Sequence, residues 1–188
     1  MSDKKLLTLC LIQQGDKILL GLAKRGKGEG KWNGFGGKVE EGEDIEEAAK
    51  REVLEECGIS VAETEKVGVL DFTLPGEEQI WQVHIFRATN FFGEPIETDE
   101  MKPQWFSINE IPYDAMWADD IFWMPMFLRS QKFEGKFVFN DTYKIIEHKL
   151  SIISAFAAPR EALGRSGEPE STWIPDQARD DITLAENL

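Results

Sequence analysis

The segment from Gly37 to Ile59 constrains this chain more than any other, because its carboxylates fall where a helix normally keeps apolar residues. Helix signals run from Asp44 to Cys57, with Asp44 at the N-cap, Glu47 three residues on, and Gly58 just past the end. At about 100° per residue, a wheel with Glu52 at zero puts Glu56 near +40° and Glu55 near −60°. Ile45, Ala48 and Ala49 share that arc, while Glu46, Glu47 and Lys50 fall on the other side. A glutamate-rich helix is ordinarily a solvated face, and Glu46–Lys50 and Glu47–Arg51 at i,i+4 fit that reading. Glu52 and Glu56 do not. They form a like-charge i,i+4 pair, unfavourable by about 0.2–0.5 kcal/mol, on the arc that should face the interior. Three converging carboxylates there need a cation, and a hard divalent metal supplies one.

The stretch before the helix has glycine at 26, 28, 30, 34, 36 and 37. Such a density predicts a loop that turns sharply or approaches something closely. Gly36 and Gly37 leave backbone groups free to reach a metal or a phosphate. Cleavage of a phosphoanhydride needs charge neutralisation at the phosphates and an activated water, which clustered divalent ions provide.

Gly37, five residues, Glu43, seven residues, then Arg51-Glu52-Val53-Leu54-Glu55-Glu56-Cys57-Gly58-Ile59 resembles a complete Nudix box. The resemblance implies an α+β fold, the Nudix α/β/α sandwich, with a mixed β-sheet and a loop–helix–loop catalytic box. It also implies that Glu52, Glu55 and Glu56 ligate Mg²⁺, with Mn²⁺ as a substitute. Gly36 would offer its carbonyl, and Arg51 would orient a helix carboxylate. Which glutamate is the general base stays open.

Three further stretches, Trp32 to Val39, Asp99-Glu100-Met101 and Met116 to Asp120, resemble the Nudix enzymes that clear 8-oxo-dGTP and 2-hydroxy-dATP. That resemblance spans residues 6–148 and implies hydrolysis of oxidised purine nucleoside triphosphates to monophosphate and pyrophosphate. It implies that Asn33, Asp119 and Asp120 read the purine edge and that Trp117 stacks on the base. Thr8, Phe72, Met101, Trp123 and Phe139 would line the pocket, with Phe35, Gly36, Gly37 and Lys38 also beside the substrate. Glu100 would act near the metals as a further ligand or base. An indole face can stack on a purine, and an amide with carboxyls can pair its edge.

Each residue also has an ordinary reading. Asp119 and Asp120 precede a helix and can be N-caps. Trp117 and Trp123 can be core, Asn33 can hold a left-handed turn, His84 reads as structural, and His148 sits near the end of the fold. Relatives usually carry lysine at Ala23, phenylalanine at Lys27, methionine at Trp81 and an aromatic at Leu74, so the order of preference between oxidised guanine and oxidised adenine stays open. A broader Nudix diphosphatase and an inactive nucleotide-binding module are the competing readings; intact Arg51, Glu52, Glu55 and Glu56 argue against the second.

Elsewhere, Leu6 to Ile12 and Lys17 to Leu22 read as a hairpin. Val67 to Leu74, Ile80 to Ala88, Gln104 to Ile108, Lys136 to Phe139 and Tyr143 to His148 read as strands, and Ile121 to Arg129 as a short helix. Residues 1–150 form the expected domain. Residues 151–188, with their Ser/Gly/Pro/Glu stretch, read as a flexible, non-catalytic extension with a short helix near Ser154 to Ala158. A net charge of −14 argues against binding a nucleic-acid polymer, which needs a basic surface, yet suits phosphate that arrives with metal. Two cysteines, Cys10 and Cys57, read as reduced structural thiols. The apolar run ending at Ile12 is too short for a signal peptide or a membrane span, so a cytoplasmic monomer is expected, without a membrane partner.

Overall fold

The computed structural model describes residues 4–153. Strands β1 (Lys4–Gln14) and β2 (Lys17–Ala23) form the expected hairpin, with Gln14 opposite Lys17 and a turn at Gly15, where φ is 60°. Then come β3 (Trp32–Asn33), α1 (Ile45–Cys57), β4 (Ser60–Thr73), β5 (Ile80–Phe92) and β6 (Met101–Ser107). A single 3₁₀ turn (Tyr113–Ala115), α2 (Asp120–Leu128), β7 (Phe133–Phe139) and β8 (Ile145–Ile152) complete the described fold.

The strands make one mixed sheet in the order β3-β2-β1-β5-β4-β7-β8, with β6 also paired to β2. The β1–β5 and β4–β7 pairs are parallel and the remaining pairs antiparallel. Strand alternation divides the core in two. Cys10, Ile12 and Leu19 pack with Ala49, Val53 and Cys57 of α1 on one face. Leu11, Ile18 and Leu20 pack with Trp123, Met124 and Phe127 of α2 on the other. That is the α/β/α arrangement the box implied. Arg87, on the α2 face, holds that helix: its guanidinium lies 4.4 Å from the Phe127 ring centre and donates to the Phe127 carbonyl.

Several expectations need correction. The glycine-rich stretch is not all loop, because Trp32–Asn33 pairs with Leu22–Gly21 and bridges join Phe35 to Cys10 and Lys38 to Leu7. Gly26 and Gly30 take positive φ of 79° in the turn, while Gly34, Gly36 and Gly37 permit close packing. Strand β4 begins at Ser60, earlier than the apolar pattern indicated, because Ser60 to Lys66 is polar yet pairs with β5 through register shifts. At the other end β8 runs to Ile152, which pairs with Phe133. The expected helix near Ser154 to Ala158 and the rest of the extension lie outside the described residues. No helix among the described residues is long and apolar enough to cross a membrane.

Candidate active site

Helix α1 starts as its sequence predicts. The Asp44 carboxylate accepts from the N–H groups of Glu46 (2.8 Å) and Glu47 (3.3 Å), and Gly58 ends the helix at φ 73°. Glu47 does not return the bond; it pairs with Lys50 at 3.0 Å. Lys50 also holds Glu46 at 3.1 Å, so the solvent face closes on itself. Arg51 therefore does not pair with Glu47. It turns to the box carboxylates instead, donating to Glu43 (2.8 Å), Glu52 (2.8 Å) and Glu55 (3.1 Å). Its guanidinium holds the Glu43 carboxyl down at about 2.

The inward arc contains the residues the wheel placed there. Ala48 and Ala49 are fully buried, Glu56 is 6% exposed, and Glu52 is largely covered. Glu55 differs: it sits at the edge of the arc with 58% of its side chain exposed. Glu56 Oε2 accepts the Gly36 N–H at 2.8 Å. Burial, reinforced by Glu52, Glu100 and Glu55, pushes the Glu56 carboxyl up to about 8. Burial also raises Glu52, against the pull of Arg51.

Gly36 and Gly37 matter for a steric reason. A Cβ on Gly36 would collide with the Thr8 carbonyl, and one on Gly37 would sit 2.5 Å from Glu52 Oε1. The glycine pair thus lets the loop lie directly on the carboxylates. Among the described residues no three carboxylate, imidazole or thiol groups converge into a preformed metal cage. Arg51 draws Glu52 and Glu55 toward itself, while the charges of Glu55 and Glu100 disfavour an ionised Glu52. The donor set is nonetheless that of a hard divalent cation: all-oxygen, anionic and adjustable.

Beside this helix, on the α2 face, lies a cavity of about 270 Å³. Its floor comes from alternate strand positions: Leu7 and Leu9 of β1, Leu70, Phe72 and Leu74 about β4, and Trp81, Val83 and Ile85 of β5. Thr8, Asn33, Gly36, Phe72, Met101, Trp117, Asp119, Asp120, Trp123 and Phe139 all line it. Three expected neighbours of substrate do not. Phe35 is fully buried on the opposite face, in the core beneath α1, where it bridges Cys10. Lys38 is exposed and offers its carbonyl to Arg51, and Gly37 packs on Glu52 instead of lining the cavity. Leu9, Arg25, Gly28 and Tyr143 line the cavity without having been singled out; Leu9 follows from β1 alternation once its inner face is known.

Asp119 and Asp120 are not helix caps. Asp119 occupies the N-cap position of α2 without a side-chain cap bond, and its Oδ2 accepts the Trp123 Nε1–H at 3.0 Å. Asp120 Oδ2 accepts the Trp117 N–H at 2.9 Å. Burial pushes Asp119 up to about 6. Burial, then the neighbouring Asp119, raises Asp120 well above the ordinary carboxylate range. Two adjacent carboxyls at 5% and 2% exposure are costly to fold around, which favours a role toward a ligand. Trp117 borders the cavity, 6.0 Å from the Tyr143 ring, with the Lys31 ammonium 5.3 Å from its own.

The remaining candidates are structural. His84 is buried, and its pKa falls to about 4 through burial; His148 stacks on Phe137 at 5.7 Å. Cys10 and Cys57 are free, buried thiols raised by burial to about 12 and about 11.

The NUDIX domain model matches residues 4–127. This chain belongs to the Nudix family. It is 55% identical to the oxidized purine nucleoside triphosphate hydrolase of Danio rerio, over 80% of this chain and 96% of that protein. Identity to the Mus musculus protein of the same name is 47%, over 83% of this chain and 100% of that one. Among solved structures, the MutT protein of Bacillus halodurans superposes with a TM-score of 0.69 at 30% identity, covering 78% of this chain and 97% of that one. The chain is therefore a Nudix hydrolase, of a family whose members generally need a divalent cation.

Proposed function

We propose that this Nudix hydrolase cleaves oxidised purine nucleoside triphosphates, such as 8-oxo-dGTP and 2-hydroxy-dATP, to monophosphate and pyrophosphate with Mg²⁺. One observation carries the reading: Gly36 joins the two halves of the site. It lines the cavity that holds Asn33, Trp117, Asp119 and Asp120, and its N–H binds Glu56 of the carboxylate helix. A base in the cavity would extend its phosphates toward Glu52, Glu55, Glu56 and Glu100. Both curated animal relatives carry names of this activity over nearly their whole length.

Glu52, Glu55, Glu56, Glu100 and the Gly36 carbonyl would hold Mg²⁺, which would supply charge neutralisation at the phosphate oxygens and activation of water. Arg51 positions Glu52 and Glu55 by its two short bonds. Glu56, raised by burial and by its carboxylate neighbours, would be held ionised by a cation bound there. Trp117 presents an indole face for stacking, and the aspartate pair with Asn33 offers both donors and acceptors to a purine edge.

Water would attack the β-phosphorus and break its bond to the α,β-bridging oxygen, so the nucleoside monophosphate departs with that oxygen and the water oxygen stays in pyrophosphate. Turnover in ¹⁸O water is expected to place the label in pyrophosphate; label only in the nucleotide product would overturn this reaction. Trp117→Ala is expected to weaken kcat/KM for oxidised guanine and oxidised adenine alike, by about 1–3 kcal/mol, since stacking ignores edge chemistry. A loss confined to one substrate in competition assays would assign Trp117 to edge reading instead.

The acidic chain suits free nucleotides over nucleic-acid polymers, and a cytoplasmic monomer without a membrane partner fits such a substrate. The segment after Ile153, where the described residues end, is proposed to be dispensable. A chain ending there is expected to keep its activity and melting temperature, while a loss of either would assign that segment a role in the enzyme.

A further inference from the structure

Lys27 and Trp81 stand at the cavity wall, and neither takes part in the carboxylate helix or the aspartate pair. Lys27 lies in the loop between β2 and β3. That loop is pinned at its ends, where the Gly30 N–H donates to the Ala23 carbonyl and the Ala23 N–H to the Lys31 carbonyl. Facing it is the turn between β4 and β5, which carries Glu77. The Glu77 carboxylate is shared: Oε1 takes the Lys27 ammonium, and Oε2 takes the Trp81 Nε1–H at 3.1 Å. The Trp81 ring is shared as well, with the Lys5 ammonium 4.3 Å and the Lys27 ammonium 4.9 Å from its centre. Arg25, Lys27 and Gly28 line the cavity from the loop side, and Leu74 and Trp81 from the turn side. The Lys27 bridge therefore joins two separate rims of one opening.

We infer that Lys27, Glu77 and Trp81 form a latch tying the β2–β3 loop to the β4–β5 turn across the cavity mouth, and that this latch sets nucleotide affinity and release. The inference rests on the reading that a purine occupies the cavity. These are positioning residues, since they act through the loop and not on the reacting phosphates.

The strength of the latch suits repeated opening. The Lys27 and Glu77 side chains remain 45% and 25% exposed, and such a pair alone contributes little. The shared indole N–H and the ring–ammonium contacts add to it. Because its charges face water, salt weakens it.

The test uses the full chain with Lys27→Met, Glu77→Gln and the double variant. Amide hydrogen exchange in the ligand-free protein is expected to quicken about three- to tenfold in residues 24–31 and 74–79 in either single variant, with little further change in the double. KM for the turned-over nucleotide is expected to rise by about the same factor, with kcat unchanged or higher, and added salt should bring the wild-type KM toward the variants'. Unchanged exchange in both single variants, or a fall in kcat at constant KM, would overturn the latch. The exchange arm needs no substrate, so failure of the nucleotide reading and failure of the latch give different results.

Discussion

Replacing Glu56 by glutamine is expected to lower kcat by about 10²-fold or more, while the protein keeps its fold. The substitution preserves shape and the acceptor for the Gly36 N–H, and removes only the charge and the basicity. Its effect on stability has a definite sign. The folded-state pKa of Glu56 is raised to about 8 from an ordinary 4.5, so the folded chain binds more protons than the unfolded chain between those values. Stability from this group is therefore complete below about pH 4.5 and is lost as pH rises through about 8. In chelator, the wild-type melting temperature should fall across that window, more steeply than that of Glu56→Gln. The raised Asp119–Asp120 pair tilts both proteins alike, so the difference between the two melting curves isolates Glu56. Added Mg²⁺ should flatten the wild-type curve and leave the variant nearly unmoved. Full turnover by Glu56→Gln, or parallel melting curves, would remove Glu56 from the metal site.

Asp119→Asn and Asp120→Asn are each expected to shift the ratio of kcat/KM between 8-oxo-dGTP and 2-hydroxy-dATP by about tenfold or more. Each carboxyl has one oxygen held by a tryptophan N–H, so its orientation is fixed before substrate arrives. Burial raises both carboxyls, Asp120 further through its neighbour Asp119, and a protonated carboxyl donates where an ionised one only accepts. The pair can exchange those roles by moving a proton and so meet two different purine edges. Asparagine cannot make that exchange. Its amide keeps both a donor and an acceptor in place, so one substrate should suffer far more than the other. Equal losses for both substrates would mean that the pair only shapes the cavity.

The box was legible because helical periodicity converts directly into direction. Once Ala48 and Ala49 share an arc with Glu52 and Glu56, the inward face is defined, and the structure buries both alanines and Glu56. The cap at Asp44 and the stop at Gly58 were local signals of the same kind. Long-range geometry was less accessible. The wheel gave no sign that Arg51 would leave Glu47 for Glu43 and Glu52, because that choice depends on where the preceding loop passes. Phe35 was grouped with its neighbours Asn33 and Gly36, yet its bridge to Cys10 takes it into the core beneath α1. Leu9 and Tyr143 meet at the cavity only because β1 and the segment before β8 cross the same face, a relation no local pattern encodes. Glu77 belongs to the same class: it reaches Lys27 from fifty positions away, through the fold alone.

The decisive measurement is turnover of 8-oxo-dGTP, 2-hydroxy-dATP, dGTP and dATP by the full chain in Mg²⁺, with pyrophosphate quantified as product. The carboxyl pair, Asn33 and Trp117 should favour both oxidised nucleotides over their normal counterparts by about tenfold or more in kcat/KM, the discrimination expected of paired hydrogen bonds to a base edge. Pyrophosphate should appear in step with monophosphate, and excess chelator should stop the reaction. Equal kcat/KM for all four nucleotides, or release of orthophosphate in place of pyrophosphate, would contradict the assignment of this Nudix hydrolase to oxidised purine triphosphates.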